Sequence, residues 1–320
     1  MRRLLVLALP AAFCILLAGC AAVDEPGSTA APTTASSRSP QATGTDLPSN
    51  QPDDIAYVRS DHIWRARSDG SEPVQLTSDS GADFAPAWSP DHTHIAFVHR
   101  DDPDSMTTST LCVVPAAGGQ VSRWEFNRSI AALCYSPDGD RIALAELLLS
   151  GDSPAKRISV LDTASGETTV VRRLRDPWTT GLAVSWSPDG DRLLVGLSKQ
   201  DAEDQQTGVL TLDSGKLVWL PIPDACQANW SPDGRSIVVT QATQGYTAVS
   251  IADTLGSVQR VLVRASGLGS GGRPVLGGSF SPDGSRVAYG DGTAIWTIGV
   301  DGKTKRRVIA HGEQPAWSAR

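Results

Sequence analysis

Cysteine, histidine and basic charge are all in short supply in this 320-residue chain, and each shortage excludes something. The five cysteines stand at positions 14, 20, 112, 134 and 226 with no Cys-x-x-Cys spacing, so no zinc site is suggested. Five histidines are few for an enzyme of this size. His92, His94 and His99 lie close together, and His92 and His94 can share one face of a strand. No carboxylate spacing completes a metal set around them, so they read as solvated or turn residues, and neither a metal nor a cofactor is expected. There is no Gly-x-Ser-x-Gly elbow, no P-loop and no long helical period, which removes the usual supports of a catalytic domain. Lys and Arg number 28 against 35 Asp and Glu, a formal charge of −7. Dispersed acidity without a basic stripe argues against a nucleic-acid partner.

Long hydrophobic runs are missing too, apart from one at the start. Arg2-Arg3 precedes an apolar run from Leu4 to Leu17, followed by Ala18-Gly19-Cys20. A positive start, a short apolar stretch and small residues form a secretory signal. The run is short of the roughly 20 residues that span a bilayer. Leu17-Ala18-Gly19-Cys20 resembles the lipobox of bacterial lipoproteins. That resemblance implies removal of residues 1–19 and acylation of Cys20 on its thiol and new amino group, tying the protein to the cell membrane. Loss of Arg2 and Arg3 leaves 26 basic against 35 acidic residues, or −9. Residues 20–53 are Thr, Ser, Ala, Pro and Gly with almost no large apolar side chain, so they cannot offset their ordering entropy. They read as a disordered tether with a reach of roughly 30 Å. Beyond it remain Cys112, Cys134 and Cys226. An exported protein can pair two of them or keep all three reduced, and their spacing leaves both open.

What the chain has in plenty is turns, with 30 Gly and 21 Pro, and a hydrophobic content of 40% that is enough for a sizeable core. One motif recurs. It reads Trp88-Ser89-Pro90-Asp91-His92, then Tyr135-Ser136-Pro137-Asp138-Gly139, Trp186-Ser187-Pro188-Asp189-Gly190, Trp230-Ser231-Pro232-Asp233-Gly234 and Phe280-Ser281-Pro282-Asp283-Gly284, with a truncated copy at Trp317-Ser318. The aromatics are 47, 51, 44, 50 and 37 residues apart, a spacing that suits a four-stranded propeller blade. Ser, Pro and Gly occupy the first, second and fourth places of a type I turn. His92 replaces the glycine, and His tolerates positive φ better than most residues. The apolar stretch after each turn, Ile95-Ala96-Phe97-Val98 for example, fits a buried strand.

A second series gives the same count. Asp69-Gly70, Gly118-Gly119, Ser165-Gly166, Ser214-Gly215, Leu255-Gly256 and Asp301-Gly302 each sit between two strand-like runs. Six turns match six aromatics. The blade reads as strand A ending in the aromatic, the Ser-Pro-Asp turn, strand B, a variable loop, strand C, the Gly turn and strand D. The repeats begin at Ile55 with a strand B and finish at Trp317 with a strand A, so the two ends complete one blade and leave no open edge. The expectation is an all-β, six-bladed propeller over residues 54–320, closed by strands from both termini.

These motifs resemble the repeats of the TolB propeller family and those of the propeller domain in prolyl oligopeptidase relatives. The first resemblance implies a periplasmic or envelope setting. No counterpart of the α/β domain that precedes the propeller in TolB is expected in the residues before Ile55, nor is one of the hydrolase domain of the oligopeptidase relatives expected in the few residues that follow Trp317 here. Asp91, Asp138, Asp189, Asp233 and Asp283 form a repeated set whose place in turns points to a structural job, because Asp side chains bond local backbone. The motif aromatics read as packing between blades.

Recognition is expected on the face carrying the B–C and D–A connections, which read as longer and more varied than the short turns of the other face. Arg172, Arg173, Arg175 and Trp178 lie in or just before one D–A connection, a basic cluster beside a large apolar surface. Asp101, Asp102 and Asp104 occupy a B–C loop and give the face an acidic sector. Two functions fit. One is a non-catalytic scaffold at the cell envelope that binds a protein or polysaccharide. The other is a propeller lyase or hydrolase acting on polysaccharide or peptide, with its residues at the central channel.

Overall fold

The structure, a computed structural model, describes residues 53–103, 107–126, 128–148, 155–174, 178–199, 205–243, 245–266 and 276–318. The signal at 1–19, Cys20 and the tether up to residue 52 lie outside these, as do Arg175 and Asp104.

Six antiparallel sheets of four strands form a propeller. The first blade holds β1 (Asp54–Arg59), β2 (His62–Arg67) and β3 (Val74–Gln75). The second holds β4 (Ala82–Trp88), β5 (His94–Arg100), β6 (Ser109–Pro115) and β7 (Ser122–Phe126). In the third are β8 (Ser129–Tyr135), β9 (Arg141–Leu148), β10 (Ala155–Asp162) and β11 (Thr168–Leu174). The fourth contains β12 (Trp178–Trp186), β13 (Arg192–Lys199), β14 (Gln205–Thr211) and β15 (Leu217–Trp219). The fifth runs through β16 (Ala225–Trp230), β17 (Ser236–Ala242), β18 (Tyr246–Asp253) and β19 (Val258–Ser266). The sixth has β20 (Leu276–Phe280), β21 (Arg286–Gly290), β22 (Ile295–Gly299) and β23 (Arg306–Ile309). The last strand, β24 (Glu313–Trp317), returns to the first blade and pairs with β1, Ile55 opposite Trp317. The ring is closed by strands from opposite ends of the repeat region, as the phase of the repeats predicts.

Each A strand ends on its motif aromatic, and Trp88, Trp186, Trp230, Phe280 and Trp317 are buried. The turn that follows is a small polar machine. In the third blade Gly139 N–H donates to Ser136 O (3.0 Å). Ser136 Oγ donates to Asp138 Oδ1 (2.5 Å) and accepts from Arg141 N (3.0 Å). The second acceptor duty of Asp138 is the Asp140 N–H (3.1 Å). The same backbone bond recurs from Thr93 to Asp91, Asp191 to Asp189, Arg235 to Asp233 and Ser285 to Asp283. His92 takes φ +58°, where the other four copies have a left-handed glycine.

The A strands touch one another around the axis and so line the channel, and every one of them carries a bulge. A bulge bends a strand and frees a backbone N–H. At two of the bulges a neighbouring blade supplies the partner. Gln314 Oε1 accepts from Ala85 N (2.7 Å), and Gln227 Oε1 accepts from Gly277 N (3.0 Å). The core lies between blades, where the inward faces of adjacent sheets form separate apolar clusters. Cys112, Cys134 and Cys226 are free thiols within this architecture.

Candidate functional site

Antiparallel order places the A–B and C–D turns on one end of the ring, the turn face, and the B–C and D–A connections on the other, the loop face. The loop face is not uniformly long. The B–C connections span 101–108, 149–154 and 200–204 in the second, third and fourth blades, but only 60–61, 243–245 and 291–294 in the first, fifth and sixth. Ser60 and Asp61 both have positive φ, which lets two residues close that hairpin. Long B–C connections are therefore gathered on one side of the ring.

Charge gathers there as well, and strand alternation explains how. On β9, Ile142 and Leu144 pack toward the second blade, while Ala143 and Ala145 pack toward the fourth. Glu146 continues the first series, so its carboxylate enters the seam between the second and third blades near the loop face. Its side chain is 1% exposed. Arg128 Nε lies 2.5 Å from Oε1 and Arg157 Nε 2.7 Å from Oε2, and Ser159 Oγ donates to Oε2 at 2.5 Å. In register, Glu146 stands opposite Arg157 and Arg157 opposite Arg173, so two like charges face each other across β10 and β11. From the second blade Arg100 enters the same seam. Its Nη2 donates to Ser129 Oγ (3.1 Å) and its guanidinium lies 4.5 Å over the Phe84 ring. Arg100 is 6% exposed, its Nε has no hydrogen-bond partner among the described residues, and burial pushes its pKa down. Two guanidinium groups thus share the Glu146 carboxylate, with Arg100 in the same seam and Arg173 opposite Arg157 on the neighbouring strand.

A second buried network joins the first and second blades. Ile63 N–H donates to Thr77 Oγ1 (2.9 Å), Thr77 Oγ1 donates to Asp83 Oδ2, and Asp83 Oδ1 holds His99 Nδ1 at 2.7 Å. His99 Nε2 lies 3.3 Å from Asp101 Oδ1. The order of these groups is structural: the hydroxyl donates to the carboxylate and does not meet the imidazole, as a nucleophile activated by histidine must. Among the described residues, no three His, Cys, Asp or Glu side chains converge as a metal set would.

The residues singled out in the sequence are distributed as follows. Arg173 is exposed at the arginine mouth. Arg172 points the other way, and its Nη1 donates to Gly215 O (2.9 Å) in the neighbouring blade. Trp178 is the first residue of β12, paired in register with Lys199. Asp101 and Asp102 are exposed beside the His99 network. The pattern of basic residues does not mark Arg100, Arg128, Glu146 and Arg157, because they are separated in sequence and meet only through strand register.

Over residues 53–320 the chain matches the TolB beta propeller domain. It is 33% identical over 115 residues to the uncharacterized peptidase YuxL of Bacillus subtilis, a stretch covering 33% of this chain and 16% of that protein. It is also 33% identical over 95 residues to the Tol-Pal system protein TolB of Anaeromyxobacter dehalogenans, covering 28% of this chain and 20% of that one. The matched stretches thus span at most a fifth of these relatives. Among solved structures, TolB from Acinetobacter baumannii superposes with a TM-score of 0.67 at 20% identity, covering 86% of this chain and 69% of that one. A putative TolB from Agrobacterium tumefaciens gives 0.57 at 18% identity, over 81% and 89% of the two chains.

Proposed function

This chain belongs to the TolB beta propeller domain family, and on that premise we propose that it is an exported, lipid-anchored envelope protein whose propeller is a non-catalytic scaffold for a protein partner. The observation that carries this reading is the mouth of the second and third blades, where Arg128 and Arg157 share Glu146 while Arg100 bonds Ser129 in the same seam and Arg173 stands opposite Arg157. Guanidinium groups reachable from solvent favour a partner that presents acidic side chains, through forked, charge-assisted hydrogen bonds. The exposed Arg173 makes first contact, and the half-buried Arg128 and Arg157 give the contact depth. Attachment through acylated Cys20 holds this surface within tether reach of the membrane. A polysaccharide bearing carboxylates would meet the same groups.

The likeness to a peptidase keeps hydrolysis as the second reading, but the buried Asp83–His99 pair lacks a hydroxyl placed on its imidazole. The test is a pull-down from native membranes with the full-length protein. Arg173→Glu is expected to lose the partner, while Lys216→Glu on the turn face retains it. Retention by the first and loss by the second would place recognition on the wrong end of the ring. Cys20→Ala is expected to abolish fatty-acid labelling and processing, and normal labelling of that variant would remove the anchor.

A further inference from the structure

On the turn face, three seams between blades are closed the same way. The first residue of one blade's B strand lays its guanidinium on the motif Trp of the next blade. Arg141 lies over Trp186, Arg192 over Trp230 and Arg286 over Trp317, each 4.9 Å from the ring centroid. A carboxylate holds each guanidinium from the side: Asp138 at 3.2 Å, Asp189 at 2.6 Å and Asp53 at 3.3 Å respectively. The arrangement combines a cation–π contact with an ion pair, and its repetition shows what this groove is shaped to hold.

The seam between the second and third blades keeps the frame and changes the filling. The motif carboxylate is Asp91 and the ring is Tyr135, but the residue in the arginine position is His94. Imidazole is shorter than a guanidinium on its three-carbon stem, and His94 Nδ1 is 2.7 Å from Thr93 Oγ1, bound within its own turn. At this place the structure has a cavity of about 450 Å³. Its walls include Asp91, His94, Trp124, Tyr135, Asp138 and Asp140. Burial opposes the charge of Asp91, yet hydrogen bonds from Ser89 and Thr93 outweigh it and hold the carboxyl down to about 2, so it is an anion at any physiological pH. Burial pushes the Tyr135 phenol up to about 12, which keeps it a neutral ring with a donor hydroxyl. Two aromatic walls and three carboxylates, one of them shared with Arg141, select a flat organic cation.

We propose that this cavity is a binding site for a guanidinium group, supplied by a free alkylguanidine or by an arginine side chain of a bound peptide. The ligand occupies the place that the chain's own arginine takes at three other seams, stacked on Tyr135 and paired with Asp91. The site lies on the opposite end of the ring from the arginine mouth and stands or falls independently of the loop-face reading.

The experiment is calorimetric titration of the full-length protein in detergent with agmatine, with an Ala-Arg-Ala peptide blocked at both ends, and with its citrulline counterpart. Agmatine or the arginine peptide is expected to bind saturably, with the citrulline peptide at least tenfold weaker. Binding of agmatine marks a free cation as sufficient, and binding of the peptide alone marks a side-chain ligand. The decisive variant is His94→Arg, which restores the internal arginine. It is expected to fold with an unchanged or higher melting temperature and to weaken ligand binding at least tenfold. No saturable binding of either cation to the natural chain, or undiminished binding to His94→Arg, overturns the proposal.

Discussion

The serine of each motif is the residue on which the turn depends. Ser187 is fully buried, and its hydroxyl donates to Asp189 Oδ1 (2.5 Å) while accepting from Arg192 N (3.0 Å). Ser187→Ala leaves a partly buried N–H without its acceptor and is expected to cost about 1–3 kcal/mol, measured by denaturant unfolding. The five motif aspartates make the fold acid-sensitive. Hydrogen bonds from Ser281 and Ser285 outweigh burial and hold Asp283 down to about 2, matching Asp91, and Asp138, Asp189 and Asp233 shift the same way. A depressed carboxyl stabilises the fold above its unfolded value of 3.8 and loses that contribution as pH falls through the folded value. Tryptophan fluorescence should therefore report unfolding that steepens between pH 4 and pH 2, whereas a flat signal across that window contradicts the linkage. Two glycines separate backbone strain from packing. A Cβ on Gly190 (φ +80°) meets nothing within 4 Å, but one on Gly70 (φ +87°) would lie 1.7 Å from Val308 O in the sixth blade. Both changes to alanine cost roughly 1–3 kcal/mol in strain, and Gly70→Ala is expected to cost measurably more.

Among the elements, β24 decides whether the ring holds. It covers the edge of β1, and Trp317 carries three further ties: Arg286 over its ring, Nε1 donating to Asp53 Oδ1 (3.0 Å), and its backbone N–H donating to Ser279 Oγ (2.9 Å). Trp317→Ala is expected to lower stability by about 3–5 kcal/mol. Removing residues 314–320 exposes the β1 edge and should produce both a lower melting temperature and concentration-dependent aggregation. An unchanged melting temperature in that truncation would mean that closure contributes nothing to the fold.

The whole molecule is acidic, yet it concentrates arginine at one mouth, and Glu146 is the counterweight. Glu146→Gln leaves Arg128 and Arg157 facing each other in a buried seam and is expected to cost about 3–5 kcal/mol, read from thermal or denaturant unfolding. Arg173→Glu at the exposed rim should leave stability within about 0.5 kcal/mol, so loss of a partner in that variant can be assigned to the surface. Binding at this mouth should also weaken between low and physiological salt, because its rim charges are screened by solvent ions.

The propeller and its blade count were legible in the sequence because each blade repeats the same local instructions: an aromatic before a Ser-Pro-Asp turn, an apolar strand, a glycine turn. Such signals act over a few residues and need no knowledge of the partner strands. The phase of the repeats even located β24 beside β1. The lengths of the loop-face connections were only partly legible, since Ser60-Asp61 closes a hairpin in two residues through left-handed backbone that its composition does not announce. Arg173 was visible as part of a basic run. Its companions were not, because Arg100, Arg128, Glu146 and Arg157 come from four separate stretches and share a seam only through register and strand alternation. Nor could the sequence disclose that His94 and Tyr135 border a cavity. That follows from the distance between two sheets, which is fixed by packing around the whole ring and not by any residue near the site.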